Sequence, residues 1–294
     1  MKGSVGIVGL GIMGGAFARH LAAAGWQVSG VDIDAGRIAE AQQNGVTVLA
    51  DIGALAAVVP AILISLPSPA AAIAAAEAIA ATGAPPRTVV ELSTLALDDK
   101  LKIASILAAA GHVAIDCPVS GTGAQAAKGD LVLYASGDTA AIAALRPMFD
   151  GFSRRTYDLG AYGNGSRMKF VANLLVAIHN VASAEAMVLG MKAGLDPQQI
   201  VELVRDGAGN SRVFELRAPM MAASRYEPAT MRIATFQKDM AIIADFAKDL
   251  GCPVPLFTAA TPIYDAAVPA HGNEDTAAVC AVLEDMAGLD RKDG

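Results

Sequence analysis

The sequence has too few cysteines and histidines, too widely spaced, to build a disulfide framework or a metal site. The three cysteines, Cys117, Cys252 and Cys280, are odd in number and form no Cys-x-x-Cys pair, so no disulfide framework is predicted. The four histidines are equally scattered and make no His-x-x-x-His pair, the spacing that places two metal ligands on one helix face. We therefore expect a protein without a metal ion.

Runs of basic residues and of uninterrupted apolar residues are also missing. The formal net charge is −7 and no basic stripe occurs, which argues against nucleic acid as a partner. No stretch approaches the roughly 18 uninterrupted apolar residues that a membrane-spanning helix needs. The N-terminus enters a strand-like run almost at once, without the apolar core of a signal peptide. We expect a cytoplasmic protein with no membrane partner.

Aliphatic residues, alanine above all, dominate what is present. Of 294 residues, 54% are hydrophobic and 17% are charged. This length suffices for two domains of ordinary size, and the apolar content is typical of a globular protein with large buried cores. Because much of the excess is alanine, we expect helix-rich packing.

The segment from residue 4 to residue 32 carries the most specific pattern. Between two apolar runs and before a helical pattern stands the turn Gly9-Leu10-Gly11-Ile12-Met13-Gly14. In such a turn Gly9 permits tight bending, Gly11 lets a pyrophosphate approach the backbone, and Gly14 lets the helix pack on the strand. The helix N-terminus adds free N–H groups and a partial positive charge. The pattern predicts a dinucleotide site; the alternative is a tight turn that binds nothing.

Asp32 ends the second apolar run at about the 20-residue offset where an acidic residue accepts hydrogen bonds from a ribose diol. Its charge would repel a 2′-phosphate, so the sequence favours NAD over NADP. Arg37 weakens this preference, because a nearby arginine can bind a 2′-phosphate. We expect NAD as the cofactor, with NADP as the alternative.

Short β-rich runs alternate with helical ones from residue 4 to about residue 160, which is typical of a mainly parallel sheet covered by helices on both faces. The predicted strands are Val5–Val8, Gln27–Val31, Ala61–Ser65, Thr88–Glu91, Val113–Asp116 and Leu131–Ala135. The predicted helices are Ile12–Ala24, Ala35–Asn44, Pro69–Ala81 and Asp98–Ala110. The loops at residues 65–69 and 92–94 follow strands, where an open α/β sheet binds its ligands.

Helical periodicity replaces this alternation after the glycine-rich segment at residues 160–165. An apolar stripe on one long helix comprises Met168, Val171, Leu175, Ile178, Ala182 and Leu189. A second helix is predicted to begin after Asp196 as N-cap with Pro197 in its first turn. The stripe of a third helix comprises Phe236, Met240, Ile243, Ala247 and Leu250. We predict a dinucleotide-binding domain over residues 1–162, an all-helical domain over 163–294, and a frayed tail over 290–294.

Two further segments carry groups suited to chemistry. Residues 116–123 are rich in small residues and present the Ser120 hydroxyl among backbone N–H donors, which suits a carboxylate; a plain turn is an equal alternative. Lys169 and Asn173 are four apart and so share one helix face. A lysine near the domain boundary, where we expect a cleft, can exchange a proton with a substrate hydroxyl if burial lowers its pKa. The alternative is a solvated surface lysine.

These motifs together resemble the β-hydroxyacid dehydrogenase family, which includes 3-hydroxyisobutyrate dehydrogenase, tartronate semialdehyde reductase and, more distantly, 6-phosphogluconate dehydrogenase. The cofactor loop, the substrate loop Asp116-Cys-Pro-Val-Ser-Gly121 and the catalytic segment Gly163-x-Gly165-x-x-x-Lys169-x-x-x-Asn173 stand in the family's order. Lys238-Asp239 resembles a late pair whose lysine reaches the nicotinamide side of the cofactor. The resemblance spans nearly the whole chain.

The resemblance implies an α/β fold in which an N-terminal Rossmann domain, with a doubly wound and mainly parallel sheet, is joined by a long helix to an all-helical domain. It implies hydride transfer between NAD(P) and a small β-hydroxyacid or its semialdehyde or keto partner, with Lys169 as general acid/base. The implied cofactor contacts are Gly9, Leu10, Gly11, Ile12, Met13, Gly14, Asp32, Leu66, Pro67, Thr94 and Lys238. The implied substrate contacts are Ser120, Gly121, Thr122, Lys169 and Asn173. Family members are usually homodimers or homotetramers.

Several alternatives stay open within this resemblance. Thr122 stands where the family often has a second glycine, which leaves open an acid other than hydroxyisobutyrate: glycerate, tartronate semialdehyde, 4-hydroxybutyrate or threonate. Arg212 is suited either to binding a substrate carboxylate or to a structural ion pair. Imine reductases share the architecture but generally carry Asp or Tyr where Lys169 stands, so the lysine favours alcohol chemistry. A catalytically silent dinucleotide-binding protein is the remaining alternative.

Overall fold

The computed structural model describes residues 2–291, which form two compact units. The first unit ends at Lys169 and the second begins at Phe170. The domain boundary that the sequence suggests after residue 162 stays a prediction.

A nine-stranded sheet forms the centre of the first unit, counted over residues 2–169. Its strands are β1 (Ser4–Val8), β2 (Gln27–Val31), β3 (Thr47–Val48), β4 (Ala61–Ile64), β5 (Thr88–Glu91), β6 (Val113–Asp116), β7 (Val119–Ser120), β8 (Val132–Gly137) and β9 (Arg155–Asp158). The strand order is β3-β2-β1-β4-β5-β6-β8-β7, and β9 pairs with β8. Strands β1 to β6 are parallel, whereas β8 is antiparallel to both β6 and β7.

The strand order changes direction at β1, which has β2 on one side and β4 on the other. Val5 lies opposite Val28 of β2, and Gly6 lies opposite Ile62 of β4. In an open α/β sheet, ligands bind beyond the carboxyl ends of the strands at such a switch point. The glycine-rich turn after β1 and the loop after β4 therefore lie at the ligand-binding edge.

Helices cover both faces of this sheet. They are α1 (Ile12–Ala23), α2 (Ala35–Gln43), α3 (Ile52–Val58), α4 (Pro69–Ala80), α5 (Leu97–Ala109), α6 (Gly123–Ala126) and α7 (Thr139–Phe149). Alternate residues of one strand enter different cores: Ile7 packs in the cluster with Phe17, whereas Val8 packs in the cluster with Leu55. The six predicted strands and four predicted helices are confirmed; β3, β7, β9, α3, α6 and α7 were not predicted.

Helices alone make up the regular structure of the second unit, as far as the structure describes it. The long helix α8 (Asn164–Lys192) continues into α9 (Pro197–Asp206), α10 (Arg212–Ala222), α11 (Ile233–Asp249), α12 (Pro255–His271) and α13 (Val279–Met286). Asp196 caps α9 by accepting from the backbone N–H groups of Gln198 and Gln199, as predicted. Leu250, by contrast, is 65% exposed and does not join the buried stripe of α11.

After α13, hydrogen bonds and an ion pair of Arg291 attach the chain to the end of α10 and to Glu284. Arg291 donates hydrogen bonds to the carbonyl oxygens of Met221 and Ala222 and pairs with Glu284. The predicted fraying of the tail is therefore wrong for this residue, because its guanidinium satisfies carbonyl groups at the end of α10. Residues 292–294 lie outside the described residues.

The helix α8 buries polar side chains and exposes much of its predicted apolar stripe. Met168, Val171, Leu175 and Leu189 are exposed. The buried polar side chains are Ser166, Lys169, Asn173, Asn180 and Ser183. By length and composition α8 alone among the described helices could cross a membrane, but a core helix passes the same test. Five buried polar groups on one helix are typical of a folded core in which they find partners.

Candidate active site

Three glycines of the turn after β1 are needed for different physical reasons. A Cβ on Gly9, whose φ is +92°, would lie 2.2 Å from the carbonyl oxygen of Ser65, and a Cβ on Gly14 would lie 1.8 Å from the carbonyl oxygen of Gly9. Gly9 thus permits the turn and Gly14 the close approach of α1. A Cβ on Gly11 would meet nothing within 4 Å. Packing does not explain Gly11, whereas room for a phosphate beside the backbone does.

The start of α1 fits the same ligand. Gly11 is the N-cap and no side chain caps the helix, so the N–H groups of the first turn are available to an anion. An open space beside uncapped N–H groups is the arrangement that a dinucleotide pyrophosphate requires. The residues present therefore fit NAD(P), and Leu10, Ile12 and Met13 stand in the predicted contact segment.

Asp32 is fixed at the end of β2 by two backbone donors. The N–H of Leu10 donates to its Oδ2 at 2.6 Å and the N–H of Asp34 donates to its Oδ1 at 2.9 Å. Asp34 in turn caps α2 by accepting from the N–H of Arg37. The Arg37 guanidinium pairs with Glu40 at 3.1 Å, and both side chains are about half exposed. The Arg37 guanidinium, which could have bound a 2′-phosphate, therefore lies beside the carboxylate of Glu40.

The loops that follow β4 and β5 are tied together. The N–H of Leu66 donates to Oγ of Ser93 at 2.9 Å, so the predicted contacts Leu66 and Thr94 belong to adjoining loops of one edge of the sheet. Pro67 is exposed, and Leu66 and Thr94 are partly exposed. All three predicted cofactor contacts thus lie on accessible loops beyond the carboxyl ends of strands.

The predicted substrate loop lies against the cofactor turn. Ser120 ends β7, and Gly121 adopts a φ of +138° where a Cβ would lie 2.5 Å from a methyl group of Leu131. A Cβ on Gly123 would lie 2.8 Å from a methyl group of Ile12, the first residue of α1. Thr122 is the N-cap of α6, and its N–H donates to the side chain of Gln125. Close contacts and the cap of α6 hold the loop in place, and its binding of a carboxylate stays a prediction.

The segment containing Lys169 packs tightly where α8 begins. A Cβ on Gly165 would lie 2.2 Å from the carbonyl oxygen of Tyr134. The next residue, Ser166, bonds to the buried carboxylate of Asp116. Lys169 itself is 6% exposed, so the interpretation as a solvated surface lysine is wrong for this chain.

In the second unit, a buried carboxylate holds Asn173. The side-chain amide of Asn173 donates to Oδ2 of Asp239 at 3.0 Å, and Lys238 lies 3.2 Å from Oδ1 of the same carboxylate. Sequence reasoning gave Asp239 no role of its own. The signal was its position, because Asp239 lies three residues after Phe236 and next to Met240 on the buried stripe of α11. A charged residue on such a stripe indicates a partner.

Of the two roles suggested for Arg212, carboxylate binding and a structural ion pair, the structure shows an ion pair. Its guanidinium lies 2.8 Å from Glu215, and its side chain is 70% exposed. Hydrogen bonds from Arg212 and Asn210 lower the pKa of Glu215 below its usual range. Among residues 2–291, no cluster of three or more histidine, cysteine, aspartate or glutamate side chains is placed to hold a metal ion.

The parallel sheet, the uncapped glycine turn and the buried lysine near the start of α8 are features of a dinucleotide-dependent oxidoreductase. Residues 4–160 match the model of the NAD binding domain of 6-phosphogluconate dehydrogenase. Residues 163–283 match the model of the NAD-binding region of NADP-dependent 3-hydroxyisobutyrate dehydrogenase. The chain belongs to the β-hydroxyacid dehydrogenase family and is an NAD(P)-dependent oxidoreductase. The predicted family and fold class are confirmed.

Individual relatives resemble the chain over its whole length. L-threonate dehydrogenase from Cupriavidus necator is 32% identical over 288 residues, which cover 96% of this chain and 97% of the relative. The crystal structure of a 3-hydroxyisobutyrate dehydrogenase from Salmonella typhimurium is 33% identical with a TM-score of 0.85, covering 95% of this chain and 99% of that one. The Mycobacterium tuberculosis 3-hydroxyisobutyrate dehydrogenase, solved with L-serine, is 26% identical with a TM-score of 0.89 over 96% and 99%.

Proposed function

We propose that this chain transfers a hydride between NAD(P) and a short β-hydroxyacid, with Lys169 as the general acid/base. The observation that carries the proposal is the burial of Lys169, which is 6% exposed. Lysine is almost never fully buried unless it is paired, so burial distinguishes Lys169 from exposed lysines such as Lys192 of the same helix. The glycine-rich turn and the Ser120 loop belong to the same unit as Lys169, which supports a common role in catalysis.

The protein's own groups bind the acid and move one proton. When bound, NAD(P) supplies the hydride chemistry. The Ser120 hydroxyl and the backbone of Gly121 hold the substrate carboxylate. In oxidation, Nζ of Lys169 takes the hydroxyl proton as the hydride leaves the carbon; in reduction, the ammonium returns it to the carbonyl oxygen. Asn173 orients the substrate oxygen, and Asp239 fixes the amide of Asn173 by accepting its N–H.

L-threonate is the first substrate to test. This choice is supported by the relative named L-threonate dehydrogenase, which covers nearly the whole chain. Thr122, beside Gly121, adds a hydroxyl that a polyhydroxylated acid can use better than hydroxyisobutyrate can. Hydroxyisobutyrate, glycerate, tartronate semialdehyde and 4-hydroxybutyrate complete the panel.

NAD is the cofactor that we propose the chain prefers. Asp32 and Asp34 place two carboxylates at the end of β2, and the Arg37 side chain is paired with Glu40. This local excess of negative charge opposes a 2′-phosphate, whereas a ribose diol donates hydrogen bonds to carboxylates. The exposed pair of Arg37 and Glu40 is weak, so NADP binds as the poorer cofactor.

A homodimer or homotetramer is the assembly that we propose. The exposed apolar residues of α8, which include Val171, Leu175 and Leu189, support it because exposed apolar surface is typical of an interface between subunits. We also propose a cytoplasmic location, which is supported by the metabolic activity named for the relatives.

The test compares Lys169→Ala with Lys192→Ala, an exposed lysine at the other end of the same helix. Turnover of the best acid in the panel is expected to fall by roughly 10²-fold or more in Lys169→Ala, while NADH binding, followed by fluorescence, persists. Lys192→Ala is expected to match the wild type. A fully active Lys169→Ala refutes the assignment, and turnover of cyclic imines but not of hydroxyacids would indicate an imine reductase.

A further inference from the structure

Three charged side chains are buried together beneath the carboxyl ends of β5 and β6. The side chains of Lys100 and Asp116 are fully buried and that of Glu91 is 1% exposed. The ammonium of Lys100 contacts Oε2 of Glu91 and lies 3.1 Å from Oδ1 of Asp116. Burying three charges is costly unless each is paired and hydrogen-bonded. A fold that needed only stability could fill this space with apolar side chains, so the three groups need a further explanation.

The carboxylate of Asp116 holds the first turn of α8. It accepts hydrogen bonds from the N–H of Ser166 at 2.8 Å and from the hydroxyl of Ser166 at 2.9 Å. Ser136 also donates to Asp116, and its hydroxyl accepts from the N–H of Gly165. A carboxylate at a helix N-terminus is stabilised by the helix dipole. Lys169 follows Ser166 by three residues, so the segment fixed by Asp116 leads directly to the proposed general acid/base.

The carboxylate of Glu91 reaches the proposed cofactor loops. Its Oε1 accepts from the N–H of Ser93 at 2.9 Å, and Oγ of Ser93 accepts from the N–H of Leu66 at 2.9 Å. Leu66 and Thr94 are the predicted cofactor contacts of these loops. The two carboxylates thus hold two different parts of the site, and Lys100 is the cation common to both.

We propose that Lys100 is a positioning residue that sets the first turn of α8, and with it Lys169, relative to the cofactor loops. The inference rests on the proposed function, since it assigns to Lys100 the placing of the proposed general acid/base. It acts through Ser166 on one side and through Ser93 on the other, and it touches no reacting atom.

The physical reason is the charge of the two carboxylates. With Lys100 present, its ammonium lies against both carboxylates, which accept charge-assisted hydrogen bonds from the neighbouring serines. Without it, two buried carboxylates face each other with no cation between them, and the structure around them must move or admit water. The bonds to Ser166 or Ser93 then weaken. A displacement of Lys169 by about 1 Å is enough to lower the rate by roughly 10²-fold.

The test uses two variants and a matched control. Lys100→Met removes the cation at similar side-chain volume. The triple variant Glu91→Gln/Lys100→Met/Asp116→Asn is neutral throughout and keeps an acceptor oxygen for Ser93 and for Ser166. Lys102→Met changes an exposed lysine of the same helix and is expected to behave as the wild type in every measurement.

Stability and turnover are expected to separate in the triple variant. Lys100→Met is expected to lose both Tm and kcat, because it leaves buried charges unpaired. The triple variant is expected to regain Tm, yet its kcat stays roughly 10- to 100-fold below wild type. The KM of the hydroxyacid is expected to stay nearly unchanged, because Ser120 and Gly121, the proposed contacts of the substrate carboxylate, are not substituted. In both variants the backbone amides of Gly165 and Ser166 are expected to exchange hydrogen faster.

Two results would overturn the inference. Recovery of kcat together with Tm in the triple variant would show that Lys100 only stabilises the fold. Unchanged hydrogen exchange at Gly165 and Ser166 in Lys100→Met would show that the cation does not hold α8. If the wild type turns over no hydroxyacid, the proposed function fails, and the exchange measurement together with NADH affinity still decides whether Lys100 positions α8 and the cofactor loops.

Discussion

Gly11 is the position where cofactor binding can be separated from folding. Its φ of −64° suits any residue, and a Cβ there would meet nothing within 4 Å. Gly11→Ala is therefore expected to change the free energy of unfolding by less than about 1 kcal/mol, the size of a glycine-to-alanine change at an N-cap. The added methyl group would instead occupy the space beside the uncapped N–H groups, where we propose that the pyrophosphate binds.

The expected loss of affinity follows from overpacking. Forcing an extra methyl group into a filled contact costs roughly 1–3 kcal/mol, which corresponds to roughly 5- to 150-fold in Kd. Gly14→Ala, in contrast, is expected to lower the free energy of unfolding, because its Cβ would lie 1.8 Å from the carbonyl oxygen of Gly9. That contact forces α1 away from the turn, so the fold loses on the order of 3 kcal/mol or more.

The assay pairs urea unfolding with NADH titration by fluorescence for both variants. Gly207→Ala is the control, since a Cβ on Gly207 makes only ordinary contacts, at 3.5 Å and 3.7 Å, and lies outside the cofactor segment. A Gly11→Ala protein that folds and binds NADH as tightly as the wild type would refute the placement of the pyrophosphate beside this residue.

Three further predictions follow from the charged groups. Asp32→Asn is expected to reduce the preference for NAD over NADP by about 10-fold, because it removes the charge of one carboxylate, a contribution of about 1.4 kcal/mol. An unchanged ratio of the two kcat/KM values would contradict this prediction. Arg212→Ala is expected to leave KM for the hydroxyacid unchanged, because Arg212 pairs with Glu215; a large rise in KM would restore the carboxylate-binding alternative. Burial works to lower the pKa of Lys100, but attraction to Glu91 and Asp116 outweighs it and raises the pKa. Stability from Lys100 is thus complete below the unfolded pKa near 10.4 and falls by about 1.4 kcal/mol per pH unit as pH rises toward the folded value. Urea unfolding between about pH 9 and pH 12 should show this slope as the difference between wild type and the neutral triple variant, and equal slopes would contradict it.

The parallel part of the sheet could be predicted because each of its main strands has a local signal. The central strands, such as β4 at Ala61–Ile64, are short apolar runs bounded by turns, which is typical of strands buried on both faces. The strand β9 has no such signal: of Arg155–Asp158 only Thr156 is buried. Its place in the sheet comes from pairing with β8, a long-range contact that no local pattern encodes.

The glycine turn could likewise be predicted from a local pattern, whereas the buried charged cluster depends on contacts between distant residues. Each glycine of the turn has a local steric reason, so the motif predicts its own structure. The cluster of Lys100, Glu91 and Asp116 depends on side chains from three separate elements. A local signal for Lys100 existed nonetheless, because Lys100 lies three and seven positions before the buried residues Ile103 and Leu107 of α5. A lysine on a buried stripe indicates a buried counter-ion.

The segment of α8 that contains Lys169 and Asn173 has a carboxylate near each end, and each carboxylate has a lysine beside it. Asp116 holds Ser166 within the first unit, and Asp239 holds Asn173 within the second. The two lysines differ in exposure: Lys100 is fully buried, whereas Lys238 is 38% exposed. Water screens the second pair and can replace its cation, but it cannot reach the first. Loss of the lysine therefore leaves an uncompensated buried charge beside Asp116, whereas beside the partly exposed pair of Lys238 and Asp239 water compensates for it.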